Sequence, residues 1–425
     1  MTYDQALEFI HGIARFGSKP GLLRVQLLLE RMGNPQKKLK FIHVAGTNGK
    51  GSTCTMLSRV LSTAGYKVGL YISPFVLDFR ERIQVNNEMI EHDEFARSAT
   101  LVRRHWEILD KQGDTPSEFE TVVACAFDYF LRKQVDVVVL EVGMGGRLDA
   151  TNVIDTPLVS IITSLGMDHM EYLGNTIGAI AFEKCGIIKP DGITVCYPEQ
   201  EPEAIKVIEE RCAQERNPLI FPKEPAVLGM DFFGTRMIYD GLELTVPLIG
   251  AHQVKNASTA LAALAVVKDR GFPVSDADIV KGIAQTSFPA RLEVLGRDPL
   301  IVLDGAHNKG GAEVLGKALD MLGDKKIHAV MGMLSNKDLT GILSEILPRC
   351  HTLTVVCGRE NPLAMPADEL AELARPFCDN IYVADSPREG VLSAYALCAP
   401  DDMLLSCGSL YLASELRPEL VKLGG

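Results

Sequence analysis

No two cysteines in this 425-residue chain stand in CxxC spacing, and its ten cysteines are scattered without metal-ligand spacing. That excludes a zinc ribbon or a disulfide framework, and the thiols read as small buried hydrophobes in a reducing cytosol. Positive charge is in deficit as well: 43 Lys and Arg face 55 Asp and Glu, a formal net charge of −12. A nucleic-acid surface needs a basic face and is argued against, whereas an anionic small molecule needs only a few local cations. No apolar run is long enough to span a bilayer, and the first twenty residues hold no basic-then-apolar signal pattern. The expectation is a cytoplasmic protein with no membrane partner. Internal repeats and low-complexity tracts are also missing. What remains, 47% hydrophobic and 23% charged residues, is ordinary for a globular protein with a sizeable core. The length exceeds what one core usually serves, so two domains are expected.

The chain is organised around Phe41–Thr53, which reads FIHVAGTNGKGST. Phe41, Ile42, Val44 and Ala45 suggest a buried strand, Gly46, Gly49 and Gly51 a glycine-rich turn holding Lys50, and Met56, Leu57, Val60 and Leu61 a helix. Strand, loop and helix in that order form a phosphate cradle. Backbone amides point at the anion, the helix N-terminus adds positive potential, and the lysine reaches the outer phosphates. The strict GxxxxGK[ST] pattern is not met, because Val44 occupies the first glycine position and Gly51 follows the lysine. Ser52 then has to supply the hydroxyl. An ordinary glycine-rich turn is the bland alternative.

Helices are expected over 4–15 and 22–32, a second strand over 68–72, a charged stretch over 78–118 and a helix over 118–132. Two near-continuous apolar strands, 135–142 and 158–163, have the look of a parallel sheet covered on both faces. A helix over 174–186, a strand over 193–197 and a helix over 251–268 follow, while 215–248 alternates too weakly to assign. A new αβ alternation begins near residue 299, with strands at 300–303, 327–331, 353–356, 381–383 and 403–406. Gly296–Pro299 is the expected linker. The expected fold is α/β: a P-loop domain with a mostly parallel sheet (1–295), then a smaller doubly wound α/β domain (299–425).

Glu141 ends its strand and so lies at the C-terminal edge of a parallel sheet, where ligands of such folds bind and where it can serve as a magnesium ligand. A strand-ending carboxylate with no further role is the alternative. Gly143-Met144-Gly145-Gly146 looks superficially like a dinucleotide fingerprint, but the spacing is wrong. Asp168-His169 and Ser73 follow other strands and should share the edge with Glu141, although Ser-Pro also starts turns. Lys184 sits at a helix end, where a cation complements the helix dipole. Asp304-Gly305-Ala306-His307-Asn308 suggests either an interdomain site or a turn with an Asn cap.

Together AGTNGKGST, SPF, EVGMGGRLDATN, DHMEYLG, EKCGIIKP, AHQVKNA, PARLE, DGAHN and CGSLYL occur in the order in which they stand in the folylpolyglutamate synthases. The chain resembles that family, which includes bifunctional dihydrofolate synthases and belongs to the Mur ligase superfamily, over nearly its whole length. The resemblance implies that Thr47, Asn48, Gly49, Lys50, Gly51 and Ser52 hold ATP phosphates, with Asn256, Arg291 and Asp304 as further ATP contacts. It makes Ser73, Glu141 and His169 magnesium ligands and Lys184 a carbamylated lysine beside a second metal, with a monovalent cation in addition. His307 and Ser409 fall near the nucleotide and the incoming glutamate, Lys50, Lys184 and His307 being catalytic. Phe75, Phe119, Asp149 and Asn152, with Leu22–Arg24 and Ser117, fall where the pterin-bearing substrate is placed. SPF replaces a frequent SPH and PAR a commoner PGR, which implies altered packing rather than lost catalysis. The implied partners are ATP, L-glutamate and a reduced folate or dihydropteroate, joined by a monomer through an acyl phosphate. Two rivals remain: another Mur-type amino-acid ligase, and a non-catalytic nucleotide-binding protein with no need of Glu141, His169 and Lys184.

Overall fold

The computed structural model describes residues 1–14, 21–168, 170–358 and 363–425. Its first sheet holds β1 (Phe41–Ala45), β2 (Val68–Tyr71), β3 (Ile83–Val85), β4 (Glu88–Met89), β5 (Val137–Glu141), β6 (Val159–Ile162), β7 (Thr194–Cys196) and β8 (Leu219–Ile220). The order is β4-β3-β2-β5-β1-β6-β7-β8, parallel except at the β3 and β4 edge. Each face is covered, which explains the unbroken apolar runs. Val137 and Val139 pack under the helices Lys50–Thr63 and Ala251–Asp269, while Val138 and Leu140 face the helices His92–Gln112 and Glu118–Lys133 on the other side. Ser117 caps Glu118–Lys133 in a reciprocal box with Glu120, an arrangement worth about 1 kcal/mol. The charged stretch 78–118 thus contains a 21-residue helix, one face of which buries Phe95, Ala99 and Val102.

Residues 226–246 form a separate antiparallel sheet of β9 (Ala226–Asp231), β10 (Gly234–Tyr239) and β11 (Leu242–Val246). Its alternation is faint in sequence because β9 is almost wholly exposed, leaving Met237, Leu244 and Val246 to enter the core.

The last sheet is β12 (Glu293–Arg297), β13 (Leu300–Leu303), β14 (Ile327–Met331), β15 (Thr352–Val355), β16 (Ile381–Val383) and β17 (Met403–Cys407), in the order β12-β13-β17-β14-β15-β16. All pairs are parallel except β12 with β13. Leu300 and Val302 face one helical layer, Ile301 and Leu303 the other, as a doubly wound unit requires. The linker expected at Gly296–Pro299 is instead the turn of the β12–β13 hairpin: Arg297 pairs with Leu300. Gly296-Arg297-Asp298-Pro299 reads as a linker because turn chemistry and linker chemistry use the same residues. The helix expected over 4–15 spans Tyr3–His11, and that over 174–186 spans Ile177–Lys184 before a 3-10 turn. Among the described residues no helix is long and apolar enough to cross a membrane.

Candidate active site

β1 runs straight into the phosphate-loop stretch. Asn48 is anchored through its amide to the Ser164 carbonyl, as is Thr47, whose hydroxyl also bridges to Gly166. Gly49 caps the following helix at φ 81°, a left-handed conformation that favours glycine, and an added Cβ there would stand 2.4 Å from Asn256 Oδ1. Lys50 Nζ donates to the Thr47 carbonyl at 3.3 Å. Ser52 Oγ accepts from Gln253 Nε2 at 3.3 Å, and Gln253 Oε1 accepts from Asn256 Nδ2 at 3.0 Å. Gln253 was not singled out in sequence, although it sits one helical turn before Asn256 in AHQVKNA. Phe288 closes over Gly51, where a Cβ would lie 2.9 Å from its ring and 3.8 Å from Glu141 Oε2.

Glu141, the last residue of β5, pairs with Val44 of β1 and is 4% exposed. Its Oε2 accepts from the Ser73 amide at 3.0 Å. Burial pushes its carboxyl up to about 7, against the pull of Lys50, the Ser73 amide and Arg291. A desolvated carboxylate bonded by the Ser73 amide and next to the Gly51–Ser52 turn offers an oxygen ligand of the kind a small hard cation takes. Among the described residues no three His, Cys, Asp or Glu side chains are grouped to hold a metal alone. Magnesium suits such a place, since it commonly takes one or two carboxylates and completes its shell with phosphate and water. His169, expected to share this edge, lies outside the described residues.

Lys184 differs from its sequence reading as a helix-end cation. It is 3% exposed, its Nζ donates to the Gly46 carbonyl at 2.7 Å, and burial, then Lys50, lowers it to about 7. Asp168 and Asp149 pull in the opposite sense. The helix end is held against the loop after β5, because Arg147 N donates to the Glu183 carbonyl at 2.7 Å. The approach leaves no room for a side chain at Gly186, where a Cβ would stand 2.2 Å from Arg147 Cα. Asn152 ties the same two segments, donating to the Arg147 and Gly186 carbonyls at 3.1 Å each. Asp149 accepts from Met144 N and from the Thr151 amide and hydroxyl, and burial raises its carboxyl.

Around this loop, Phe119 lies over Gly143, where a Cβ would come within 2.4 Å of its ring. Phe75 packs against Phe79 with the rings tilted and their centroids 5.7 Å apart, and the Arg82 guanidinium lies over both rings. Arg24 bonds Glu120 at 3.0 Å, joining the 22–24 segment to the cap at Ser117.

Leading into the last sheet, the second of the two large ones, is a short turn, Ala290-Arg291-Leu292, in which Ala290 (φ 51°) and Leu292 (φ 48°) both take the left-handed conformation. Two carboxylates pin it: Asp304 Oδ2 accepts from Leu292 N at 2.7 Å and Glu293 Oε2 from Ala290 N at 3.0 Å. Asp304 Oδ1 accepts from Ala306 N at 2.7 Å; burial raises its carboxyl, and Arg291 lowers it. Such strain, held by surrounding structure, is common at functional sites. Arg291 is felt electrostatically at Glu141 on one side and at Asp304 and His307 on the other. His307 Nδ1 lies 2.9 Å from the Gly305 carbonyl, an acceptor, so Nδ1 carries the hydrogen and Nε2 is a free base. Burial lowers its pKa. Asn308 caps the helix Lys309–Leu319, as the capped-turn reading of DGAHN expects. Ser409, buried, caps Leu410–Gly424 and accepts from Tyr411 N at 3.2 Å.

The comparisons with known proteins agree with this geometry. The Mur ligase middle domain matches residues 44–264, and the Mur ligase glutamate ligase domain matches residues 290–410. The dihydrofolate synthase/folylpolyglutamate synthase of Bacillus subtilis is 36% identical over 433 residues, covering 99% of each chain. The crystal structure of folylpolyglutamate synthase from Thermotoga maritima superposes with a TM-score of 0.88 at 33% identity, over 100% of this chain and 97% of that one. The Mycobacterium tuberculosis folylpolyglutamate synthase complexed with ADP gives 0.85 at 30% identity, over 98% of both.

Proposed function

This chain belongs to the folylpolyglutamate synthases of the Mur ligase superfamily, and from that premise we propose how its residues carry out the ligation. It is an ATP-dependent ligase that adds L-glutamate to a folate. The γ-phosphoryl group passes from ATP to the acceptor's carboxylate, giving an acyl phosphate and ADP. The amine of glutamate then attacks the acyl carbon, the amide forms and phosphate leaves. The observation that carries this reading is the convergence of Lys50, Glu141 and Lys184 of the first sheet with Arg291, Asp304 and His307 of the second.

In this scheme the Asn48–Ser52 amides and the helix end receive the phosphates. Lys50 exchanges the Thr47 carbonyl for phosphate oxygens, and Asn256 and Gln253 hold the loop and the Ser52 hydroxyl in place. Glu141, with the Ser52 and Ser73 hydroxyls, would hold magnesium, which when bound offsets the charge of the phosphates. Lys184, buried beside the Gly46 carbonyl, is where a neutral amine can add carbon dioxide, releasing a proton and becoming an anionic carbamate. Arg291 offsets charge on the transferring group from the side of the second sheet, which is the main contribution a protein can make to phosphoryl transfer. His307 Nε2 takes the proton that glutamate's ammonium must lose. Phe75, Phe119, Asp149 and Asn152 face the acceptor, and Ser409 the glutamate. Approach of the two sheets would exclude water from the acyl phosphate.

The deciding experiment offers Mg-ATP and glutamate with dihydropteroate and with a reduced monoglutamyl folate in separate tubes, the products being read by mass. Product from both makes the protein bifunctional; product from the folate alone makes it a polyglutamylating enzyme. If neither gains glutamate while ATP binds, the reading falls to another Mur-type amino-acid ligase.

A further inference from the structure

His43 stands in the middle of β1, wholly buried between Ile42 and Val44, and nothing in the ligation scheme uses it. Its Nε2 lies 2.9 Å from Thr151 Oγ1, and that oxygen lies 2.5 Å from Asp149 Oδ1. Asp149 takes amide donors at both oxygens, Thr151 N at Oδ1 and Met144 N at Oδ2, so it is the acceptor throughout. The Thr151 hydroxyl hydrogen therefore points at Asp149, and its oxygen must accept from His43. That sets the imidazole tautomer with hydrogen on Nε2. Among the described residues Nδ1 is then a buried acceptor without a partner. An apolar residue would fill a position between Ile and Val in a parallel sheet without that cost.

We propose that His43 and Thr151 form a hydrogen-bond relay that fixes the Asp149 carboxylate, and with it the loop after β5 that borders the acceptor, His43 being a positioning residue for the ligation. The proposal rests on the reading of Asp149 as a site residue. Oδ1 is filled by the amide and hydroxyl of Thr151, Oδ2 accepts from Met144 N, and the Gly143 amide also donates to the carboxylate, so the relay holds Asp149 as the knot that shapes the loop after β5. The relay runs from the strand that leads into the phosphate loop to the loop after β5. It thereby couples the floor of the nucleotide site to the wall against the acceptor. Thr151, fully buried, has no contact with solvent that would otherwise explain its hydroxyl.

The test is steady-state kinetics with ATP, glutamate and the acceptor for His43→Leu, His43→Gln, Thr151→Val, Thr151→Ser and the His43→Leu/Thr151→Val double variant, with Asp149→Asn alongside. Loss of a hydrogen bond to a charged group corresponds to about a ten- to hundredfold fall in kcat for Thr151→Val, and loss of the neutral His43–Thr151 bond to about a three- to tenfold fall for His43→Leu. The KM for ATP stays unchanged. The double variant falls no further than Thr151→Val alone, since both remove one relay. Gln and Ser, which keep a donor, restore most of the rate. Full activity of His43→Leu with loss in Asp149→Asn overturns the relay and leaves Asp149 in the site. Full activity of Asp149→Asn overturns the site reading beneath it. Additive losses, or equal losses in His43→Leu and His43→Gln with matching falls in thermal midpoint, make His43 a packing residue and overturn the proposal as well.

Discussion

Acid should destabilise the first domain through one residue whose contribution can be worked out. Burial, and secondarily the Lys189 ammonium, lowers His43 from 6.5 to about 3 in the folded protein. The unfolded chain keeps the ordinary value, so below pH 6.5 it takes up a proton that the folded protein refuses. Stability therefore falls as pH drops through 6.5 and goes on falling until the folded imidazole itself titrates near 3. At pH 5 the unfolded state gains about 2 kcal/mol from this proton, and at pH 7 only about 0.2 kcal/mol. The protein's single tryptophan, Trp106, lies on the helix His92–Gln112, its Nε1 donating to the Pro116 carbonyl at 2.9 Å and its ring edge-on to Phe9. Its fluorescence under urea consequently reads the first domain. The gap between wild type and His43→Leu should shift by about 2 kcal/mol in the variant's favour from pH 7 to pH 5, other titrating groups cancelling in the difference. Parallel pH dependences in the two proteins would refute the burial argument.

Lys50→Ala should abolish ATP-dependent ligation while the thermal midpoint moves little, because the bond it loses, to the Thr47 carbonyl at 3.3 Å, is worth about 1 kcal/mol or less. Near-normal turnover would remove the phosphate-loop assignment. Lys184→Ala should lose activity and regain part of it when short carboxylates are added; no loss would make Lys184 a structural residue only. Asp304→Asn leaves either Leu292 N or Ala306 N without its acceptor, which costs about 1–3 kcal/mol in urea unfolding and loosens the turn carrying Arg291. An unchanged unfolding midpoint and rate would contradict the pinning role given to Asp304.

Much of the fold was legible because period and burial agree in the parallel strands. Val137–Leu140 and Leu300–Leu303 are apolar at successive positions, and a sheet covered on both faces calls for that. Where one face is open the signal faded. Exposed β9 left 226–246 without a reading, and a hairpin turn at Gly296–Pro299 could not be told from a linker, since strand pairing is a long-range fact. For Lys184 the local pattern shows only a helix end, because its burial is decided by the Gly46 carbonyl and the Arg147 loop, far off in sequence.

By itself, then, the order of residues determined the alternation of strands and helices, the phosphate loop at Phe41–Thr53, and the resemblance of nine motifs to one family, because each is a local pattern. Tertiary structure decided what those groups are chemically. Glu141 and Lys184 both move to about 7 only because distant segments exclude water from them. Arg291 acts on Glu141, Asp304 and His307 together only because the left-handed turn that carries it sets its charge near residues of both large sheets. His43, an unremarked residue in a buried strand, meets Thr151 108 positions away. Desolvation and hydrogen-bond partnership depend on what surrounds a group in space, and no local spacing encodes that.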